Sequence, residues 1–294
     1  MPINTYRGSI TLPNEVSSMI IQNTQEASAI MALANKINLP GPGITIPMIT
    51  ADPEADWVAE TAAKPVSNPS LSTKVMTPYK LAVIVPFSDE FARDYDALYN
   101  ALVARIPGAL AKKFDATVFH GTAPGSGFNV LAGCTAQSIS GTGNSFYGAL
   151  VNADVAIAAQ GGDVNGYAFS PQARGEMLSA LDSTDRPIFI NNVAEGAIPR
   201  LLGHPVYYSK GTYKAGTSGS GATPDVIGFA GDWTKAWYGT VEGVKIDISN
   251  QATLTISGSA VNLWEHNMFA VKAEIEVGFI ADTNVFNRIT RTHA

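Results

Sequence analysis

The stretch NMFAVKAEIEVGFIADTNVFNRIT, Asn267 to Thr290, decides how this chain of 294 residues is read. Phe269, Val271, Ala273, Ile275, Val277 and Phe279 alternate with Ala270, Lys272, Glu274 and Glu276. A period of two over a run this long predicts a strand with one apolar and one polar face. Just upstream, Val244, Ile246 and Ile248 alternate in the same way, so the last quarter of the chain reads as β.

Further upstream two more extended runs stand out. Ile44, Ile46 and Met48 alternate with Thr45 and Pro47, and Val75, Thr77, Tyr79, Leu81, Val83 and Val85 form a longer run as far as Pro86. Between them lies a stretch broken by Pro53, Pro65 and Pro69, too long for an ordinary connection in a compact domain. It reads as a projecting hairpin that leans on something else. Residues 1–40 read as a weakly structured arm with a short helix somewhere between Ser18 and Ile37, ended by Pro40-Gly41-Pro42-Gly43.

Ser88 can cap a helix, and Asp89 and Glu90 suit its positive end. Leu98, Leu102, Ile106, Leu110, Phe114 and Val118 recur every fourth residue, an apolar stripe running to Gly121. Pro107 conflicts with one continuous helix, because inside a helix it removes a hydrogen bond and costs about 3 kcal/mol. A kink or two abutting helices is expected there. Residues 122–143 read as a Gly/Ser/Thr-rich loop. Phe146–Ala159 and Gln172–Leu181 read as helices, the second opened by Pro171. Tyr167–Phe169, Pro187–Ile190 and Val206–Ser209 read as short strands, and Lys214–Thr223 as a flexible loop.

Composition narrows the function. Hydrophobic residues make up 46% and charged residues only 15%, well below the roughly 25% usual for soluble domains. A surface so poor in charge suits one that other subunits cover. Lys+Arg number 19 and Asp+Glu 25, a net charge of −6, which is no footprint for gripping nucleic acid. A single cysteine, Cys134, excludes an intrachain disulfide and argues against a cysteine metal site. No apolar run of 18 or more residues exists, and the first residues carry no signal-peptide pattern, so no membrane partner is expected.

Searches for chemistry fail. There is no G-x-S-x-G, H-E-x-x-H, Walker or calcium-loop pattern. Gly121–Gly127 (GTAPGSG) resembles a phosphate cradle only faintly and reads better as a helix exit. His120, His204, His266 and His293 are scattered and read as structural, with His120 suited to the negative end of its helix. Cys134 reads as a buried thiol rather than a nucleophile. Trp57, Trp233, Trp237 and Trp264 suit core or subunit interfaces better than a sugar site. No cofactor and no metal are expected. Arms and hairpins that cannot be stable alone point to assembly with further copies.

Five segments, in order, carry a resemblance. They are ADWVAETAAKP (Ala55–Pro65), VIVPFSDEFARDYDALYNAL through FHGTAPG (Val83–Gly125), GYAFSPQARGEMLSALDSTDRPIF (Gly166–Phe189), LLGHPVYYSKG (Leu201–Gly211) and Asn267–Thr290. Together they resemble the major capsid proteins of tailed bacteriophages, the Johnson fold. The resemblance implies an α+β subunit with an N-terminal arm (1–40) and an extended β-hairpin loop (41–86). It further implies a peripheral domain with a long spine helix (87–125 and 238–280) and an axial domain (126–237 and 281–294). It implies a head protein that assembles as hexamers and pentamers into an icosahedral shell around phage double-stranded DNA, without sequence-specific binding. The implied setting is a virion assembled in a bacterial host cytoplasm. The implied partners are other copies of the chain, a portal and, where present, a decoration protein. Because the chain starts at the arm, a separate scaffolding protein is expected, or none is needed. An encapsulin-like nanocompartment shell is the alternative of the same fold.

In some members of that family a loop lysine bonds to an asparagine of a neighbouring subunit, with a glutamate as base. The matching positions are Lys64, Asn267 and Glu274. An ammonium must lose a proton before it can attack a carboxamide, so such a site has to be desolvated. Asn267 and Glu274, seven apart on the expected strand, should face opposite sides, so different subunits would supply them. Glu60, Lys64 and Pro65 also occur as a pattern in members that do not crosslink, where Lys64 makes only a weak inter-subunit ion pair. Both readings stand on the sequence.

Overall fold

The computed structural model describes residues 28–51, 53, 55–60, 63–64, 66–67, 70–94, 104–140, 145–180, 186, 188–189, 200–256 and 258–293. In chain order the helices are α1 (Ala29–Leu33), α2 (Asp89–Asp94), α3 (Ile106–His120), α4 (Phe146–Ala158) and α5 (Pro171–Ser179). The strands are β1 (Asn35–Asn38), β2 (Ile44–Ala51), β3 (Ser70–Met76), β4 (Tyr79–Ser88), β5 (Thr135–Ser138), β6 (Gly166–Phe169), β7 (Arg200–Leu201) and β8 (His204–Tyr208). They continue with β9 (Asp225–Gly231), β10 (Ala236–Thr240), β11 (Lys245–Ser249), β12 (Thr253–Ile256), β13 (Ser259–Asn262), β14 (Met268–Ala281) and β15 (Phe286–Arg291). Among the described residues no helix is long and apolar enough to cross a membrane.

The long alternating run is β14, and it organises the first sheet. One edge pairs antiparallel with β4, from Met268 opposite Ser88 to Val277 opposite Tyr79. The other edge takes β11 and then β10 end to end, and β1 adds to β10 in parallel. Ala273, Ile275 and Val277 face the core while Lys272, Glu274 and Glu276 are half-buried on the opposite face, as the alternation requires. The alternation stops at Gly278. From there to Ala281 every residue is buried, because Leu39 and Met76 cover the second face around Ile280. A Cβ on Gly278 would lie 2.9 Å from Met76 Cγ, so only glycine lets that cover sit so close.

The second sheet runs β5-β15-β9-β6-β8-β7. Two connections join the sheets side by side. β9 leads into β10 through the 3-10 turn Trp233–Lys235, and β14 leads into β15 through the 3-10 turn Thr283–Val285. Each turn is opened by an aspartate whose side chain accepts a backbone N–H two residues on, Asp232 from Thr234 and Asp282 from Asn284. The turns also bond to each other: Asp232 N–H donates to Val285 O at 3.1 Å and Asp282 N–H to Lys235 O at 3.1 Å. Between and beneath the sheets lies one main core, with Phe119 stacked on Phe229 at 4.6 Å and Trp233 edge-on to Phe286 at 5.1 Å.

Several expectations need correction. The run Val75–Val85 is two strands in two sheets, broken at Thr77-Pro78, because Pro78 cannot donate to a ladder. Thr77 N–H instead bonds Gly127 O at 3.0 Å. The helical stripe does break at Pro107, as expected: the proline stands in the first turn of α3 after a turn at 104–105. There its missing N–H costs nothing, because that group has no intrahelical acceptor. Leu98 and Leu102 lie outside the described residues. The Gly/Ser/Thr loop hides β5, a polar edge strand held by parallel backbone pairing with β15 and invisible to hydrophobic periodicity. Residues 188–189 form a bend instead of the middle of a strand.

The arm is also more built-in than its sequence suggests. Residues 1–27 lie outside the described residues, but from Ser28 onward the chain belongs to the core, with Ile30 and Leu39 fully buried. Asp115, in the middle of α3 and fully buried, fastens it. Its carboxylate accepts Ser28 Oγ–H at 2.6 Å, Ala29 N–H at 3.0 Å, Ile30 N–H at 3.5 Å and Ser209 Oγ–H at 2.6 Å. Burial is the largest influence on this carboxyl and pushes its pKa above the ordinary 3.8; the four hydrogen bonds pull the other way without cancelling it.

Three outcomes follow. The folded protein holds the Asp115 proton more tightly than the unfolded chain, so the stability linked to it is full below pH 3.8 and is lost as pH rises through the raised folded value. Urea unfolding from pH 3.5 to 8 should show wild type losing stability over that window relative to Asp115→Asn; a constant difference between the two would refute this. At Gly231 a Cβ would enter the Phe286 ring, so Gly231→Ala should cost about 1–3 kcal/mol. Gly175→Ala, in α5 with nothing within 4 Å, should gain about 0.5–1 kcal/mol by the same assay.

Candidate assembly surface

β2 and β3 pair only with each other, from Ile44 opposite Met76 to Ala51 opposite Ser70. Their base is tied down. Gly43, at φ +94, closes a turn onto Pro40 O and lies against Met76 O, while Lys74 Nζ donates to Ala281 O at 3.0 Å. Among the described residues no third strand pairs with either β2 or β3. A two-stranded ribbon is marginal alone in water.

The described residues of the tip are nearly all exposed. Trp57 is 102% exposed and Val66 86%, an arrangement that wastes large apolar surface unless something packs there. Glu60 and Lys64 are exposed beside them. Two more exposed apolar groups sit on the first sheet, Ile84 on β4 and Trp264 in the turn before β14.

Asn267 lies in that turn, not on the strand. Its backbone is left-handed at φ +50, a conformation that asparagine tolerates well, and its carbonyl accepts Asp89 N–H at 3.0 Å. The parity argument from a spacing of seven therefore does not hold, because Asn267 precedes the strand register. The separation does hold: Glu274 is about 23 Å further along the strand at roughly 3.3 Å per residue. Glu274 is already engaged, with Lys272 at 3.4 Å and Lys80 at 3.8 Å. It forms part of a charged stripe in which Lys272 also meets Asp247 at 2.9 Å and Lys80 meets Glu276 at 3.3 Å. Among the described residues no hydrogen bond or ion pair joins Lys64 to Asn267 or Glu274.

Other titratable groups offer no nucleophile and base. Cys134 is buried and donates to Thr283 O at 3.3 Å; burial pushes its thiol up to about 12, away from reactivity. His120 does end α3, but burial outweighs any help from the helix end and holds its pKa down to about 4. Burial alone would raise the Asp225 carboxyl, yet bonds from Gly216, His293 and Arg291 outweigh it and hold it near 2. That cluster fastens the chain end: Arg291 also meets Glu176 of α5 at 2.6 Å. Among the described residues no three His, Cys, Asp or Glu gather as a metal site. Sequence reasoning missed Asp115 and the exposed Val66. An acid between Phe114 and Val118 on an apolar helix was the available signal for the first.

Comparison with known proteins agrees with this geometry. The phage capsid family matches residues 8–283. "Probable major capsid protein gp17" of Mycobacterium phage L5 is 28% identical over 287 residues, covering 92% of this chain and 86% of the relative. The protein of the same name from Mycobacterium phage D29 is 27% identical over 270 residues, covering 87% and 81%. A solved structure from Mycobacterium phage Bobi superposes with a TM-score of 0.73 at 19% identity, covering 91% of each chain.

Proposed function

The chain belongs to the phage capsid family, and from that premise we propose how its parts serve the shell. It is a major capsid protein, a structural part of the virion that self-assembles with its own copies into an icosahedral shell. Residues 41–86 are read as the extended loop that lies across a neighbouring subunit. The observation that carries this is the β2–β3 ribbon, paired with no third strand among the described residues, with Trp57 and Val66 exposed at its tip. Burying those two side chains on a neighbour removes apolar surface that no part of the subunit covers.

Residues 87–125 and 238–280 are read as the peripheral domain, and 126–237 with 281–294 as the axial domain around hexamer and pentamer centres. The passage of both connections between the sheets at 232–235 and 282–285 supports a division there. Residues 1–40 are read as the arm, anchored at its inner end by Asp115. A scaffolding protein, a portal and a decoration protein are the further partners, and the host cytoplasm is the place of assembly. With a net charge of −6 the shell encloses DNA without holding it tightly.

Lys64 is read as the tip's polar contact with the neighbour. In the covalent form of that contact, its free amine attacks the Asn267 side-chain carbonyl of a second subunit. An amide bond forms, ammonia leaves, and Glu274 of a third subunit manages the proton. The exposure of Lys64 and Asn267 supports an inter-subunit arrangement.

Two experiments test this. Trp57→Asp with Val66→Asp should leave the subunit's unfolding midpoint unchanged within about 0.5 kcal/mol, since both side chains are solvent-exposed, yet abolish closed shells by electron microscopy. Normal shells from that variant would sink the docking role. Mature particles boiled in detergent should run as a ladder of multimers that collapses to one band in Lys64→Arg. A single band at 30.9 kDa in wild type would leave Lys64 as an ion-pairing residue and end the crosslink reading.

A further inference from the structure

A cavity of about 180 Å³ opens where the end of α3, the segment 214–224 and β15 meet. Its polar walls are His120, Lys214, Thr223 and Arg288, and no carboxylate lines it. A single water needs only roughly 10–15 Å³ of such space, so the cavity has room for a polyatomic guest. We propose that this cavity binds a small free oxyanion of the phosphate class.

Arg288 supplies the first argument. One terminal N–H of its guanidinium donates to Ala132 O at 3.1 Å, but its Nε is buried with no hydrogen-bond partner among the described residues. That Nε is closed off from the cavity, so what the cavity meets is the guanidinium's charge, which no lining carboxylate offsets; an oxyanion there would offset it. Lys214 supplies the second. Its backbone is fixed by paired hydrogen bonds with Val226, while its ammonium has no ion pair among the described residues. Asp225, next to Val226 in the strand, points to the opposite face and is committed to Arg291 and His293.

His120 completes the frame. Its Nε2 donates to Thr212 O at 2.6 Å, which leaves Nδ1 as the free ring nitrogen. Burial, together with the facing charges of Lys214 and Arg288, keeps the ring neutral at physiological pH. A bound anion would offset both charges and let Nδ1 take up a proton. The remaining walls include Phe119 and Val226, both buried in the core, so the site is a niche and not a track along which a nucleic-acid backbone could run. That favours a free oxyanion over a DNA phosphodiester. Bound there, it would tie together three segments that otherwise meet around unneutralised positive charge.

The test uses the full-length chain, as free subunits and as shells, with inorganic phosphate at constant ionic strength set by chloride. Calorimetry should show saturable binding of one phosphate per subunit, weakened at least tenfold by Lys214→Glu, an exposed position whose side chain makes no bond among the described residues. Arg288→Gln, which removes the charge beside the cavity, should weaken it similarly. The His120 ring resonance should titrate at higher pH with phosphate in wild type and not in Lys214→Glu. Absence of saturable binding, or binding unchanged by Lys214→Glu, overturns the proposal. A short DNA oligonucleotide that binds through Lys214 where inorganic phosphate does not would overturn it in favour of a nucleic-acid contact.

Discussion

The structure depends on how two strands pass together from one sheet to the other. A strand leaving a ladder strands its N–H and C=O groups, and inside a core those groups must be paired. Here β9–β10 and β14–β15 make the passage at the same level, so each turn supplies the acceptor the other needs, Val285 O for Asp232 N–H and Lys235 O for Asp282 N–H. The aspartates close the two 3-10 turns, and Asp232 reaches further, to Asn165 Nδ2 at 3.0 Å. Asn165 in turn accepts Trp233 N–H at 2.9 Å, which seats the indole against Phe119 and Phe286. Loss of this junction would free both sheets at once, because each sheet's central strand runs through it.

What the junction holds rigid, the ribbon exploits. β4 is anchored along β14 for ten paired positions, and Met76 is buried beside Ile280. The ribbon that ends at Met76 therefore leaves from a tied base, while among the described residues neither of its strands pairs with a third. A low-charge subunit with exposed Trp57 and Val66 is incompletely buried as a monomer. In the proposed docking, neighbours supply those apolar contacts, which would couple the stability of the loop to assembly.

Much of this was legible. The period of two from Phe269 to Phe279 marks β14 because one of its faces is covered and the other wet. Phe146–Ala158 and Pro171–Ser179 are legible because their start signals are local: Ser145 and Ser170 side chains accept N–H groups of the first turn, from Gly148 and Ala173. The projecting hairpin was legible from its prolines and its length. Of the site residues, Lys64 was found where the ribbon places it. Asn267 was assigned to a strand it only precedes, because nothing local distinguishes a left-handed asparagine from the first residue of the run it adjoins.

Local pattern by itself determined the long strand, the helix ends and the unsupported ribbon, since each follows from the chemistry of residues close together in sequence. Tertiary structure alone decided the rest. Asp115 becomes an anchor only because Ser28 and Ser209, 87 and 94 residues away, converge on it. β5, with no apolar residue but Ala136, is a strand only because β15 offers it a free edge. Arg288 and Lys214 face one cavity only because the strand order brings β15 beside β9. In each case a polar group gains its meaning from a distant partner that supplies or withholds a hydrogen bond, and no periodicity along the chain encodes that meeting.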